Sequence, residues 1–282
     1  GYMTNSAARA LKTNRTYNIG VLFVDERRSG LAHEYFSSVL ESLKVEAEAG
    51  GYDITFINRN VGKKATTYLQ HCQYRGVDGV VIACVDFDDP QVLELVNSKL
   101  PVVTIDHVFN NRMAILSDNV VGTKALVQQA WACGHRRIAY LSDVAEERDR
   151  RLCSRRYDGF IAAMRRLGWS DPHRFMHFFA WHELPDFVAL KKQGITAFVC
   201  AGEMTGVFVA RGIHLQKLRI PEDFSLLGME YVRISQALLP AQTTLVQNYS
   251  ELAFHALELL EQLVRGETPA GDITVPYSLI ER

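Results

Sequence analysis

Apolar residues in this chain fall into short runs separated by segments where they recur every three or four positions, a pattern of strands alternating with helices. The first run is Ile19-Gly20-Val21-Leu22-Phe23-Val24. After a polar loop over residues 25–34, Phe36, Val39, Leu40, Leu43 and Ala47 repeat at helical spacing, and Gly50-Gly51 ends that helix. Residues 52–57 alternate as a strand, 64–75 read as a helix, and the glycine-bounded run 79–83 reads as a buried strand. Next come a helix after Pro90 with Val92, Leu93, Leu95 and Val96, a strand at 102–105 and a short strand at 114–116. Ser117-Asp118-Asn119 supplies the cap of a long helix to Cys133 that Gly134 closes, and 137–141 is again a strand.

The second half repeats the scheme: a helix over 157–167, a strand near 175–179, a helix ending at Gly194, a strand at 197–200, a helix from Met204, and a strand at 225–228. Such alternation predicts an α/β fold with parallel sheets and helices on both faces. So many strands in one sheet would be unusual, which favours two sheets. After Leu239-Pro240 the pattern gives a strand at 243–246, an amphipathic helix at 249–264 and a last strand beginning at Ile273. Periodicity leaves open which sheet this tail completes.

Ahead of the first strand lies a short basic stretch, residues 4–16. Asn5 or Ser6 is a helix cap, Ala7, Ala8 and Leu11 make an apolar edge, and Arg9, Lys12 and Arg15 recur with no acid among them. A helix so short is unstable alone in water, so it is expected to be mobile or partly helical until an anionic partner holds it. The alternative is a frayed basic terminus.

Composition narrows the function. With 282 residues, 48% hydrophobic and 22% charged, the chain has material for a large core or two ordinary ones. A formal net charge of −1 excludes a body that binds nucleic acid by bulk charge, which leaves the basic opening as the local patch for that role. The five cysteines, Cys72, Cys84, Cys133, Cys153 and Cys200, are widely spaced and read as buried thiols of a reducing compartment. No run reaches the eighteen or so apolar residues of a membrane span.

GxSxG, GxxxxGK[ST], HExxH and GxGxxG motifs are all missing from the sequence. His173 and His177 stand four apart but fall where the pattern reads loop and strand, and His71, His135 and His255 read as surface or capping residues. What remains is a set placed just after strand C-terminal ends, where open parallel sheets bind ligands: Tyr35, Phe36, Asp106, His107, Asp118, Arg150, Arg156, Trp181, Glu203 and Glu230. Acids and a guanidinium form directional contacts with hydroxyls, and aromatic faces pack on a ring, so the set suits a sugar-like or heterocyclic ligand. Each residue also has a plainer role: Tyr35 and Phe36 as core, Asp118 as helix cap, and Arg150 and Arg156 as part of a solvated charged run.

Several motifs, in order, resemble the LacI/GalR family of bacterial transcription regulators over essentially the whole chain. Residues 5–13 followed by Ile19-Gly20-Val21 resemble its hinge helix entering the first core strand. Gly134-His135-Arg136-Arg137-Ile138-Ala139 is similar to its GHRRIA signature, Arg156-Tyr157-Asp158-Gly159-Phe160 to RxxGF, Ile220-Pro221-Glu222-Asp223-Phe224-Ser225-Leu226-Leu227-Gly228 to IPEDVSVIG, and Pro240 with Thr243-Thr244 to P-x-x-TT. The resemblance implies two doubly wound parallel-sheet lobes of the type I periplasmic-binding-protein kind, joined by three crossovers near 118–137, 228–243 and 266–275. It implies a hinge and linker at 1–17, an N-terminal lobe of 18–135 plus 244–268, and a C-terminal lobe of 136–243 plus 269–282.

It further implies a homodimer with an effector held between the lobes. Tyr35 and Phe36 match positions that pack on the effector, Asp118 an effector-binding acid, and Arg156 the effector-binding arginine, with Arg150 a weaker match. The chain departs from the family at Gly202-Glu203, where Asn-Asp is common, and at Gly228-Met229-Glu230, where Gly-x-Asp is common. A longer carboxylate displaces the acceptor by roughly 1.5 Å, one C–C bond, so the pocket is expected to be altered.

The expected function is a ligand-responsive DNA-binding regulator, a cytoplasmic repressor and not an enzyme, with no cofactor and no membrane partner. Its partners would be operator DNA, reached through the hinge and a helix-turn-helix expected ahead of Gly1, and a sugar, polyol or sugar acid as effector, with a nucleobase as the alternative class. Arg9, Lys12 and Arg15 would lie near phosphates and Leu11 would wedge a minor-groove base step. The competing readings are a transport-type sugar-binding protein without a DNA role and an enzyme on the same scaffold.

Overall fold

The computed structural model describes residues 15–24, 34–143, 150–180, 182–229 and 240–282, the side chains of 34, 150–154 and 203 excepted. The hinge expected over 4–16 therefore lies outside the described residues up to position 14. The chain forms two compact units, Gly1–Ser117 with Tyr249–Val275, and Asp118–Asn248 with Pro276–Arg282.

In the first unit, β1 (Asn18–Leu22), α1 (Glu34–Gly50), β2 (Asp53–Phe56), the short β3 (Asn60–Val61) and β4 (Lys64–Ala65), α2 (Tyr68–Arg75), β5 (Gly79–Ile82), α3 (Pro90–Val96), β6 (Val102–Ile105) and β7 (Met113–Ser117) run in order. The six-stranded parallel sheet has the order β13-β7-β6-β5-β1-β2, closed at one edge by β13 (Ile273–Val275). Strand side chains alternate between two cores, as the pleat requires. Val21, Val81, Val103 and Ile115 pack with Phe36 and Leu43 of α1 and with Leu252 and Leu259 of α8 (Tyr249–Val264). Leu22, Val80, Ile82 and Val102 pack with Tyr68 and Cys72 of α2 and Leu95 of α3. Burial on both faces is why these strands read as unbroken apolar runs.

The second unit runs α4 (Asn119–Ala132), β8 (Ile138–Ser142), α5 (Arg150–Arg166), a 3-10 turn (Pro172–Phe175), β9 (Met176–Phe178), α6 (Phe187–Lys192), β10 (Ala197–Cys200), α7 (Glu203–Leu215), β11 (Ser225–Met229), β12 (Thr243–Val246) and β14 (Ser278–Ile280). Its sheet has the order β14-β12-β11-β10-β8-β9, parallel except where β14 pairs antiparallel with β12. Phe198 sits at the centre of the core, with ring centroids 5.6 Å from Phe187 and 4.6 Å from Phe224.

Four expectations are corrected. Residues 64–75 are not one helix: Asn60–Ala65 form an antiparallel ribbon turning at Gly62, whose φ of 60° suits glycine, and helix begins only at Tyr68 behind the Thr67 capping box. The first boundary falls at 117/118 rather than 135/136, because α4 packs chiefly on α5 and its fellow elements of the second unit. Likewise β12 pairs with β11, and the tail strand is two strands, β13 in the first sheet and β14 in the second. Finally, His71 is buried at 1% exposure and Cys133 is exposed, the reverse of their sequence reading.

Among the described residues, no helix is long and apolar enough to cross a membrane. Each unit thus ends its parallel strands in a row of loops.

Candidate functional site

In the first unit the loops after β5 and β6 are built alike. Ile82 pairs with Thr104, so Cys84 and Asp106, two residues further on, stand at matching positions. Both are left-handed, with φ of 53° and 58°. Such non-glycine conformations cost energy that the surrounding contacts must offset, and they cluster at functional sites. Asp106 shows how the offset arises. Its Oδ2 accepts a 2.6 Å hydrogen bond from the Tyr35 hydroxyl, and its Oδ1 accepts one of 2.8 Å from the Ser117 backbone N–H. The Thr104 hydroxyl closes the same turn by donating to the His107 carbonyl at 2.5 Å.

Tyr35 stands at the start of α1 with its ring 6.0 Å from Tyr249, edge to face. Phe36 turns the other way: it is fully buried and stacked on Phe23 at 3.4 Å between centroids, so its ring serves the core. His107 lies flat on Phe87 at 3.9 Å and meets Phe109 edge-on at 4.6 Å. The first unit therefore brings together Tyr35, Asp106 and a three-ring cluster around His107, a polar grip beside aromatic faces.

In the second unit the centre is Arg156, on the face of α5 turned toward α4. Its Nε donates to Asn119 Oδ1 at 2.7 Å and its Nη1 to the Ala201 carbonyl at 2.5 Å, just past the C-terminal end of β10. Asn119 Oδ1 also accepts from the Tyr277 hydroxyl at 3.0 Å. One amide oxygen thus ties α4, α5 and the segment before β14. Helix contact is close because residue 159 is glycine: a Cβ there would lie 2.6 Å from the Val120 carbonyl oxygen. The RxxGF residues divide the labour, with Arg156 in the polar network, Gly159 setting helix spacing, and Phe160 fully buried against Tyr140 at 5.4 Å.

Asp118 caps α4, its Oδ1 accepting from the Val121 N–H at 3.0 Å. Thr205 donates to the Asp143 carboxylate beside the end of β8. Burial, reinforced by the Asp143 charge, pushes the nearby Cys200 thiol up, which keeps it protonated and inert.

Arg150 opens α5 and Glu203 opens α7, though neither side chain is described; Trp181, Glu230, Arg9, Leu11 and Lys12 fall outside the described residues. Arg15 is described, its guanidinium 5.9 Å over the Tyr17 ring. Asn119 and Tyr277 were not anticipated. The only signals for them are an amide directly after a helix cap and an aromatic directly after Pro276. Among the described residues, no cluster of His, Cys, Asp and Glu is fit to hold a metal.

Comparison with known proteins agrees with this layout. A family model described as "Periplasmic binding proteins and sugar binding domain of LacI family" matches residues 16–179, and one described as a periplasmic binding protein-like domain matches 127–282. The HTH-type transcriptional repressor PurR of Pectobacterium atrosepticum is 27% identical over 299 residues, spanning 100% of this chain and 83% of the relative. A transcriptional regulator CelR–cellobiose complex has a TM-score of 0.75 at 19% identity, covering 98% of this chain and 88% of that one. The lac repressor dimer bound to operator and the anti-inducer ONPF has a TM-score of 0.75 at 22% identity, covering 100% and 98%.

Proposed function

This chain belongs to the LacI family, and on that premise we propose that it is a ligand-responsive transcriptional repressor whose core binds a sugar, polyol or sugar acid. The observation that carries the effector reading is the Arg156 network. A guanidinium held through Nε and Nη1 by Asn119 and the Ala201 carbonyl has a fixed plane, and a fixed plane is what directional recognition of vicinal hydroxyls or a carboxylate needs. Asp118, Tyr35 and His107 are further contacts in this reading, as are Arg150, Trp181, Glu203 and Glu230. The relative solved with cellobiose supports the sugar class, and the relatives named as a repressor and as operator-bound support the DNA role.

DNA contact is assigned to residues 4–16, with the protein acting as a homodimer in the cytoplasm. Effector binding and operator binding are coupled by about 1 to 3 kcal/mol, the ordinary range for such systems. A thermal-shift screen of hexoses, cellobiose, polyols, aldonic acids and nucleobases tests the effector class. A compound at a hundred times its dissociation constant stabilises by about 2.7 kcal/mol. Arg156→Ala is expected to abolish the shift given by the best sugar; an intact shift would refute the assignment of Arg156, and a response to nucleobases alone would refute the sugar class.

A further inference from the structure

The first unit grips the chain where it enters. Thr16 closes the segment assigned to DNA and Tyr17 directly follows it, immediately ahead of β1. Asp78, in the turn between α2 and β5, receives both of them. Its Oδ1 accepts from the Thr16 backbone N–H and from the Thr16 hydroxyl, each at 2.8 Å, and its Oδ2 accepts from the Tyr17 N–H at 2.8 Å. The Asp78 backbone N–H in turn donates to the Asn18 carbonyl at 2.8 Å.

The surroundings brace the same two residues. Tyr17 is left-handed at φ 55°, and its carbonyl accepts from the Asp53 N–H at 2.8 Å, which links it to β2. Its ring lies 5.5 Å from that of Tyr52, and the Arg15 guanidinium stands 5.9 Å over it. A chain entering a sheet has no reason to adopt a left-handed residue and surrender two backbone N–H groups to one side chain unless its direction matters. Charge-assisted acceptance by a single carboxylate fixes that direction more firmly than solvent would.

We propose that Asp78 is a positioning residue for DNA binding: it clamps the exit of the hinge to the first unit's sheet, so that movement of that sheet is passed to residues 4–13. The inference rests on the repressor reading. It makes Asp78, which touches neither the proposed effector residues nor DNA, the point through which effector binding is heard at the operator.

The test uses the natural full-length protein, the duplex that it enriches most from a randomised pool, and the compound giving the largest shift in the screen above. Asp78→Ala is expected to leave the dissociation constant of that compound within about twofold and to speed amide hydrogen exchange at Thr16 and Tyr17 at least tenfold. It is expected to shrink the compound-induced change in duplex affinity at least fivefold. Asp78→Asn keeps one acceptor and should fall between. If Asp78→Ala does not fold, Thr16→Val, which removes one donor only, carries the test with an expected two- to threefold reduction. A wild-type protein whose duplex binding ignores the compound refutes the repressor reading and the clamp with it. A wild-type response that survives in the variants, or unchanged exchange at Thr16 and Tyr17, refutes the clamp alone.

Discussion

Replacing Gly159 with alanine sets helix propensity against helix packing in the element that carries Arg156. The new methyl would meet the Val120 carbonyl oxygen at 2.6 Å, Thr123 Cβ at 3.0 Å and Val120 Cα at 3.2 Å, and the two Val120 atoms are backbone. Ordinary contact begins near 3.4 Å, so α4 and α5 must part by about 0.8 Å there. Carried to the Arg156–Asn119 bond, now 2.7 Å, that displacement gives about 3.5 Å, past the useful range of an N–H···O contact.

Overpacking of this kind costs about 1 to 3 kcal/mol, while alanine in place of glycine returns about 1 kcal/mol of helix propensity. The net cost is about 1 kcal/mol, a Tm lower by about 2 to 4 °C, together with roughly tenfold weaker binding of the best sugar in the screen. Thermal melts and titration calorimetry measure both. Asp158→Ala, at the exposed neighbouring position, reports the propensity gain alone. If Gly159→Ala raised Tm as that control does, or left sugar affinity unchanged, the account of helix spacing would be wrong.

Two further variants probe the same reasoning. Tyr277→Phe removes the hydroxyl that donates to Asn119 while keeping the ring, and is expected to weaken sugar binding about fivefold, the worth of one neutral hydrogen bond near 1 kcal/mol, with calorimetry as the check. His71 is held below the ordinary imidazole value first by burial and then by the Arg75 charge, so the unfolded chain takes up a proton that the folded chain resists. Stability is therefore complete above the unfolded value near 6.5 and falls as pH drops below it. His71→Leu should flatten the loss of urea midpoint between about pH 7.5 and 5.5, and an unchanged slope would refute the assignment.

Element types were largely legible because β1, β5 and β6 are buried on both faces and α8 keeps a strong apolar stripe. The ribbon at Asn60–Ala65 was not, since two residues per strand are too few for alternation to register. The unit boundary was hidden for a different reason. The buried face of α4 begins with Asn119, Gly122 and Thr123, small or polar residues, and only Leu126, Val127 and Ala130 beyond them are apolar, too short a stripe to say which sheet the helix covers.

Of the candidate site, Arg156 and Asp118 could be named from motif and cap, and Tyr35 from its place after the first strand. Their partners could not. Asp106 is a candidate from its place after a strand, but its grip on Tyr35 and Ser117 joins positions 71 and 11 residues away. Tyr277 meets Asn119 across 158 residues. Phe36 shows the converse: the strand-end placement and the family resemblance class it with Tyr35, but successive helical residues face different ways, and Phe36 takes its plainer role in the core.

The late arrival of α8 and β13 has a consequence for how the protein is made. The first unit needs Leu252, Ala256 and Leu259 to cover one face of its sheet, yet the whole of Asp118–Asn248 is synthesised before them. At 5 to 20 residues per second, those roughly 130 residues take about 7 to 26 s to leave the ribosome. Throughout that interval the nascent first unit is a sheet short of one edge strand and one covering helix, with Val21, Val81 and Val103 still lacking their cover from α8. The second unit can assemble most of its core while the first waits. Emergence of Tyr249–Val275, and not translation as far as Ser117, sets when the first unit's sheet gains its cover.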